Sequence, residues 1–141
     1  MIAGQRVLVV GLARSGLAAA QSLHKLGVQV IGYDQKGLEE LGPAVKELEQ
    51  LDIPVVSELD PGIINDSLDL IVVSPGVPLN LPVFDWAHRQ GVPVIGELEL
   101  AFRLKNPKVD LLAVTGTNGK TTTTALLRYI LEKDGYAAYY G

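Results

Sequence analysis

Apolar residues along this chain gather in short runs, unbroken at 7–10 and recurring at 28–31, 53–56, 69–73 and 92–95, where Gln29 and Asp69 are the polar or charged members. Runs of that length without polar alternation predict strands covered on both faces, as in a parallel sheet. Between them the spacing becomes helical. Residues 17–26 predict a helix stopped by Gly27, and Leu38, Leu41, Val45, Leu48 and Leu51 carry a second, into which Gly42-Pro43 puts a break. A helix around 83–90 ends at Gly91. Strand and helix alternate throughout, which predicts an α/β fold with a Rossmann-like, doubly wound parallel sheet.

The pattern changes at Gly96. Residues 97–104 predict a connecting helix, and Asn106-Pro107 marks a boundary. The expected organisation is a first domain over 1–95, a linker helix over 96–105 and the start of a second domain over 106–141. That second part opens with the apolar run 111–114, expected as a buried strand. It continues through Thr115-Gly116-Thr117-Asn118-Gly119-Lys120-Thr121-Thr122 into a helix carrying Ala125, Leu126, Leu127, Ile130 and Leu131, and closes on a strand-like 136–140.

A strand, a glycine loop and a helix start in succession make a triphosphate cradle, the first β-loop-α-β of a P-loop ATPase. Gly116 and Gly119 allow bare backbone N–H groups to approach phosphate oxygens, and the helix adds the positive end of its dipole. Lys120 reaches the β- and γ-phosphates, and the Thr121 hydroxyl is placed for Mg²⁺. The pattern departs at one position: Val114 stands where G-x-x-x-x-G-K-[ST] has its first glycine. A turn that merely happens to hold Gly and Lys is the competing interpretation, and the flanking apolar strand and amphipathic helix favour ATP.

Two further loops follow predicted strands. Gly11-Leu12-Ala13-Arg14-Ser15-Gly16 resembles the pyrophosphate-binding turn G-x-G-x-x-G, with Ala13 in place of the middle glycine. Asp34, at the end of the second strand, sits where dinucleotide sites place an acid on a ribose. Ser74-Pro75-Gly76-Val77-Pro78 lies at the carboxyl end of the fourth strand, where open α/β sheets bind ligands. Gly76 exposes backbone there and the Ser74 hydroxyl is a candidate phosphate donor, although two prolines in five residues also suit a simple strand terminator.

Composition narrows the possibilities. A chain of 141 residues has room for one domain, or one and part of another. With 48% hydrophobic and 20% charged residues it is expected to be soluble, and no run approaches the roughly 18 apolar residues of a membrane span. The N-terminus runs into the first strand without a secretory pattern, so a cytoplasmic location is expected. There is no cysteine, which excludes disulfides, thiolate ligands and cysteine nucleophiles. A net charge of −4 with scattered Lys and Arg argues against nucleic acid as a partner. His24 and His88 fall within predicted helices and are expected at the surface rather than on a metal.

Together, Val-Val-Gly-Leu-Ala-Arg-Ser-Gly-Leu-Ala-Ala-Ala at 9–20, Val-Val-Ser-Pro-Gly-Val-Pro at 72–78, Val-Pro-Val-Ile-Gly-Glu-Leu-Glu-Leu at 92–100 and Val-Thr-Gly-Thr-Asn-Gly-Lys-Thr-Thr-Thr-Thr at 114–124 resemble the Mur ligases over essentially the whole chain. The nucleotide loop is shared across that superfamily and with folylpolyglutamate synthases. The first turn, Ser-Pro-Gly and Gly-Glu-Leu-Glu-Leu point to its D-glutamate-adding branch.

The resemblance implies a three-domain, ATP-dependent enzyme of peptidoglycan precursor synthesis. Its substrate carboxylate is phosphorylated by ATP, and the amine of D-glutamate then attacks to form an amide on UDP-N-acetylmuramoyl-L-alanine. By position, it puts Arg14 and Ser15 on the uridine diphosphate, Asp34 and Gln35 on uracil, Lys36 at the nearby solvent edge and Gly76 on the diphosphate. Gly116, Thr117, Asn118, Gly119, Lys120, Thr121 and Thr122 would bind ATP, with Lys120 on the phosphates and Thr121 on Mg²⁺.

The chain is shorter than the resemblance requires. The family's metal-holding glutamate and histidine, its modified lysine and its amino-acid-binding domain have no counterpart here, so an N-terminal fragment that binds ligand but is inactive alone is expected. Its tail is expected to need cover from the first domain or from another copy, through self-association. The alternatives are another ligase of the same superfamily, an NAD-dependent oxidoreductase using 11–16 and Asp34, which is a different enzyme class, and a non-catalytic nucleotide-binding or interaction module. The oxidoreductase leaves Lys120 and Thr121 unexplained.

Overall fold

A computed structural model describes residues 2–59, 63 and 67–139. Five strands, β1 (Arg6–Val10), β2 (Gln29–Tyr33), β3 (Val55–Val56), β4 (Leu70–Val73) and β5 (Val94–Gly96), pair in parallel in the order β3-β2-β1-β4-β5. The expected doubly wound α/β sheet is what forms. Each of the five strands expected in the first domain is present, its ends displaced by one or two residues. Around the sheet lie α1 (Arg14–Lys25), α2 (Leu38–Leu41), α3 (Pro43–Glu49), α4 (Pro82–Gln90) and α5 (Glu97–Leu104). Gly42, at φ +49, separates α2 from α3, and Pro43 opens the second of them, where its missing N–H leaves no bond unmade.

Strand β1 shows why the apolar runs do not alternate. Val7 and Val9 join a core with Ala20 and Leu23 of α1, Leu48 of α3 and Leu100 of α5. Leu8 and Val10 join the opposite core with Ile71 of β4 and Val83 and Ala87 of α4. Both faces are covered, so every residue in 7–10 is buried whichever way it points. The strand is paired along its length, Val7 to Val10 opposite Val30 to Tyr33 on one side and opposite Leu70 to Val73 on the other.

Helix α5 departs from its expected role as a linker. Residues up to Lys105 form one compact unit, and a second begins at Asn106. Within the first unit α5 packs on α1, β4 and β5, with Leu100 at 3% exposure. The outward pair Leu98 and Phe102 stays exposed. Periodicity identified the helix, but an apolar stripe of one residue per turn is compatible with a loose connector as well as with a core helix.

The second unit differs more from expectation. Helix α6 (Lys120–Lys133) is present, but 111–114 and 136–139 are not strands, and Leu111 and Leu112 are exposed. A parallel strand exists only through its ladder to a neighbour. Among the described residues of this unit no strand is available to pair with either segment. The expected end of the tail strand, Tyr140, lies outside the described residues.

The role of α5 can be checked with two substitutions. Leu100→Ala is expected to lower the stability of the first unit by about 2–5 kcal/mol through the cavity it leaves, whereas Leu98→Ala changes it by no more than about 0.5 kcal/mol. Urea unfolding of the two variants reads the difference.

Candidate functional site

Strand order reverses between β1 and β4, the two strands from which chain connections leave in opposite directions across the sheet. At such a switch point the loops beyond the carboxyl ends diverge and leave a crevice. Here the crevice has a volume of about 250 Å³. Its walls come from the three predicted loops, Gly11 and Ala13 after β1, Asp34, Gln35 and Lys36 after β2, and Ser74 to Pro78 after β4, together with Tyr33 at the end of β2.

The β1–α1 turn is held from two directions. Asp34 accepts hydrogen bonds from the Leu12 N–H at 2.8 Å and, through its other oxygen, from the Lys36 N–H at 3.0 Å. Its carboxylate therefore joins two loops of the crevice, a part that its position in the sequence did not reveal. On the other side the Ser74 side chain is within hydrogen-bond distance of the Gly11 carbonyl, 2.8 Å away, and of Glu97 Oε1. Ser74 thus joins two loops as well as lining the crevice.

Glycine is required at the turn for steric reasons. A Cβ on Gly16 would lie 1.8 Å from the Gly11 carbonyl oxygen and 2.6 Å from Ser74 Oγ. Gly11 has φ +88, and its Cβ would lie 2.6 Å from Val77 Cγ2. The first and last glycines of the 11–16 motif thus allow β1, α1 and the 74–78 loop to meet. Ala13, exposed at the crevice, immediately precedes α1 and gives it no side-chain cap. The first N–H groups of a helix have no partner within it, and such a terminus attracts anions.

The structure brings Asp34, Gln35, Lys36 and Gly76 to one crevice. Arg14 and Ser15 are exposed in the first turn of α1, outside the crevice lining. Gly76 is exposed at φ +88, a conformation glycine takes without strain. Tyr33, Leu81 and Glu97 were not singled out as site residues. Tyr33 and Leu81 carry the apolar pattern of core residues, and Glu97 lies 23 positions from its partner Ser74.

Residues 5–96 match the family described as Mur ligase MurD-like, N-terminal domain. The chain belongs to this MurD-like family. The UDP-N-acetylmuramoylalanine–D-glutamate ligase of Caldicellulosiruptor bescii is 46% identical over 130 residues, covering 92% of this chain and 28% of that protein. The ligase of the same name from Myxococcus xanthus is 48% identical over 125 residues, 89% of this chain and 27% of that one. Among solved structures, UDP-N-acetylmuramate-alanine ligase from Thermotoga maritima aligns with a TM-score of 0.58 at 29% identity, over 90% of this chain and 29% of that one. The chain therefore spans under a third of the length of these relatives.

In the second unit of this MurD-like chain, the glycine loop 116–122 has its own internal geometry. Gly119 is left-handed at φ +78 and precedes α6, whose first residue is Lys120. The Lys120 ammonium donates to the Gly116 carbonyl oxygen at 2.7 Å, closing the loop on itself. Thr117, Asn118, Thr121 and Thr122 are exposed. Among the described residues no cluster of three or more His, Asp or Glu is placed to hold a metal. No described helix is long and apolar enough to cross a membrane.

The turn can be tested directly. Gly16→Ala is expected to cost about 3 kcal/mol or more, because the new methyl meets a backbone oxygen that no rotamer change can move. Chemical denaturation followed by far-UV circular dichroism would measure this, and a loss below about 1 kcal/mol would contradict the packing described.

Proposed function

We propose that this chain is the substrate-binding and nucleotide-loop portion of an ATP-dependent ligase that adds D-glutamate to UDP-N-acetylmuramoyl-L-alanine, a cytoplasmic peptidoglycan precursor. The observation that carries the proposal is the crevice at the β1/β4 switch point, built from the very loops on which the family resemblance rests. In it the UDP end of the substrate lies across the β1–α1 turn. Arg14, Ser15 and the N-terminus of α1 face the diphosphate from one side and Gly76 from the other, while Asp34, Gln35 and Lys36 flank the uracil.

The loop 116–122 suits a triphosphate. Two glycines at positive φ bare its backbone, α6 starts directly behind it, and the Lys120 ammonium already engages an oxygen at 2.7 Å within the loop. These residues would hold ATP, with the Thr121 hydroxyl and phosphate oxygens around Mg²⁺, an ion that commonly takes most of its protein-site ligands from phosphate and water. When bound, ATP supplies the phosphoryl group that makes the substrate carboxylate open to attack by an amine. Lys120 screens the negative charge of the phosphates, and the backbone donors of the loop fix their orientation. The amino-acid site and the remaining metal ligands belong to parts of the family's enzymes that this chain does not cover.

An NAD-dependent oxidoreductase is the weaker proposal. It leaves the loop 116–122, with Lys120 and Thr121 at the start of α6, without a role.

Calorimetric titration with UDP-N-acetylmuramoyl-L-alanine, NAD and Mg-ATP separates the two. Saturable binding of the UDP ligand without NAD binding is expected, and tight NAD binding would overturn the ligase assignment. In a full-length ligase carrying this sequence, Lys120→Ala is expected to abolish ATP-dependent turnover with substrate binding nearly intact. Asp34→Ala is expected to act mainly on the KM for the UDP substrate. Equal damage to the same parameter by both would refute the division of labour between the loops.

A further inference from the structure

The hydroxyl of Ser74 has a single proton to donate, and two acceptors face it. They are the Gly11 carbonyl oxygen at 2.8 Å and Oε1 of Glu97. Ser74 is 5% exposed and lines the crevice; Glu97 is half-buried and does not. Glu97 is the first residue of α5, where the positive end of the helix favours a carboxylate. Whatever Glu97 does for the crevice it therefore does through Ser74.

Ser74 in turn joins the two walls. Its N–H donates to the Val10 carbonyl at 2.9 Å, its carbonyl accepts from the Val77 N–H at 3.3 Å, and its hydroxyl lies against Gly11. The β1–α1 turn and the 74–78 loop thus have their separation fixed at one side chain, and Glu97 holds that side chain from behind. An anion gripped by backbone donors of two loops is sensitive to such spacing, because the donors must converge within a few tenths of an ångström.

We infer that Glu97 is a positioning residue of the crevice: by engaging the Ser74 hydroxyl it sets the distance between the two loops that take the diphosphate. The inference rests on the crevice being a UDP site and adds to it a group that no ligand touches. Its role is separable from charge. A carboxylate near an anion opposes binding, and Glu97→Ala and Glu97→Gln remove that charge equally. Only Gln leaves a polar partner for Ser74, and its amide can donate to Ser74 Oγ while the hydroxyl donates to Gly11.

The test is titration of the 141-residue chain with UDP, followed by NMR, with thermal unfolding of each variant alongside. Wild type binds saturably. Glu97→Ala weakens binding about tenfold with its midpoint within about 3 °C of wild type, and Glu97→Gln recovers to within about twofold. Glu97→Asp, which keeps the charge but shortens the arm, gives the same loss as Ala and serves if Ala does not fold. The double variant Ser74→Ala/Glu97→Ala binds no more weakly than Ser74→Ala alone. The inference is overturned if Glu97→Ala and Glu97→Asp bind like wild type, if Gln binds as weakly as Ala, if the two losses add, or if affinity falls in step with the thermal midpoint. A wild-type chain that does not bind UDP overturns instead the assignment of the crevice, and this inference with it.

Discussion

The first unit depends on the close approach of β1, α1 and the loop after β4 around the Ser74 side chain. Backbone from three parts of the chain converges there, and two glycines make room for it. The crevice is a by-product of this convergence. Strands β1 and β4 run side by side, their connections part to opposite faces, and the turn that starts α1 leaves helix N–H groups at the rim. The apolar side chains above and below the sheet supply the stability, while the convergence supplies the shape.

Much of the first unit was legible because parallel strands covered on both faces leave a simple trace. Every residue of 7–10 had to be apolar, and it is. The same rule misled at 111–114, where an apolar run of similar length is exposed at 111–113, half-buried at Val114, and forms no strand. Apolar character says that a segment benefits from cover; it does not say that a neighbour is at hand to provide a ladder. Helix α5 raised the converse problem, since a stripe anchored by Leu100 gave little indication that it belongs to the core.

The site was legible at the level of loops and less so at the level of bonds. Strand ends and glycine spacing marked 11–16, 34–36 and 74–78, which do meet. What Asp34 and Ser74 do there was not marked. A polar residue at a strand end is compatible with ligand contact and with loop bracing alike. Only the positions of the Leu12 and Lys36 amides, or of Gly11 and Glu97, show that bracing is at least part of the role. Membership of the family follows from residues 5–96 as a whole, not from any single turn.

The two glycines of the first turn carry unequal evolutionary constraints. At Gly11 the closest obstacle to a methyl group is the Val77 side chain, so a smaller residue at 77 would relieve that contact and leave the tight approach to Ser74 Cβ, 3.0 Å away, and the strain of the backbone angle. At Gly16 the obstacle is the chain's own carbonyl, which has no substitution of its own. Drift at the first position can therefore proceed by paired steps through a tolerated intermediate. At the second there is no neighbouring change to make first, and any lineage that keeps this turn must keep that glycine.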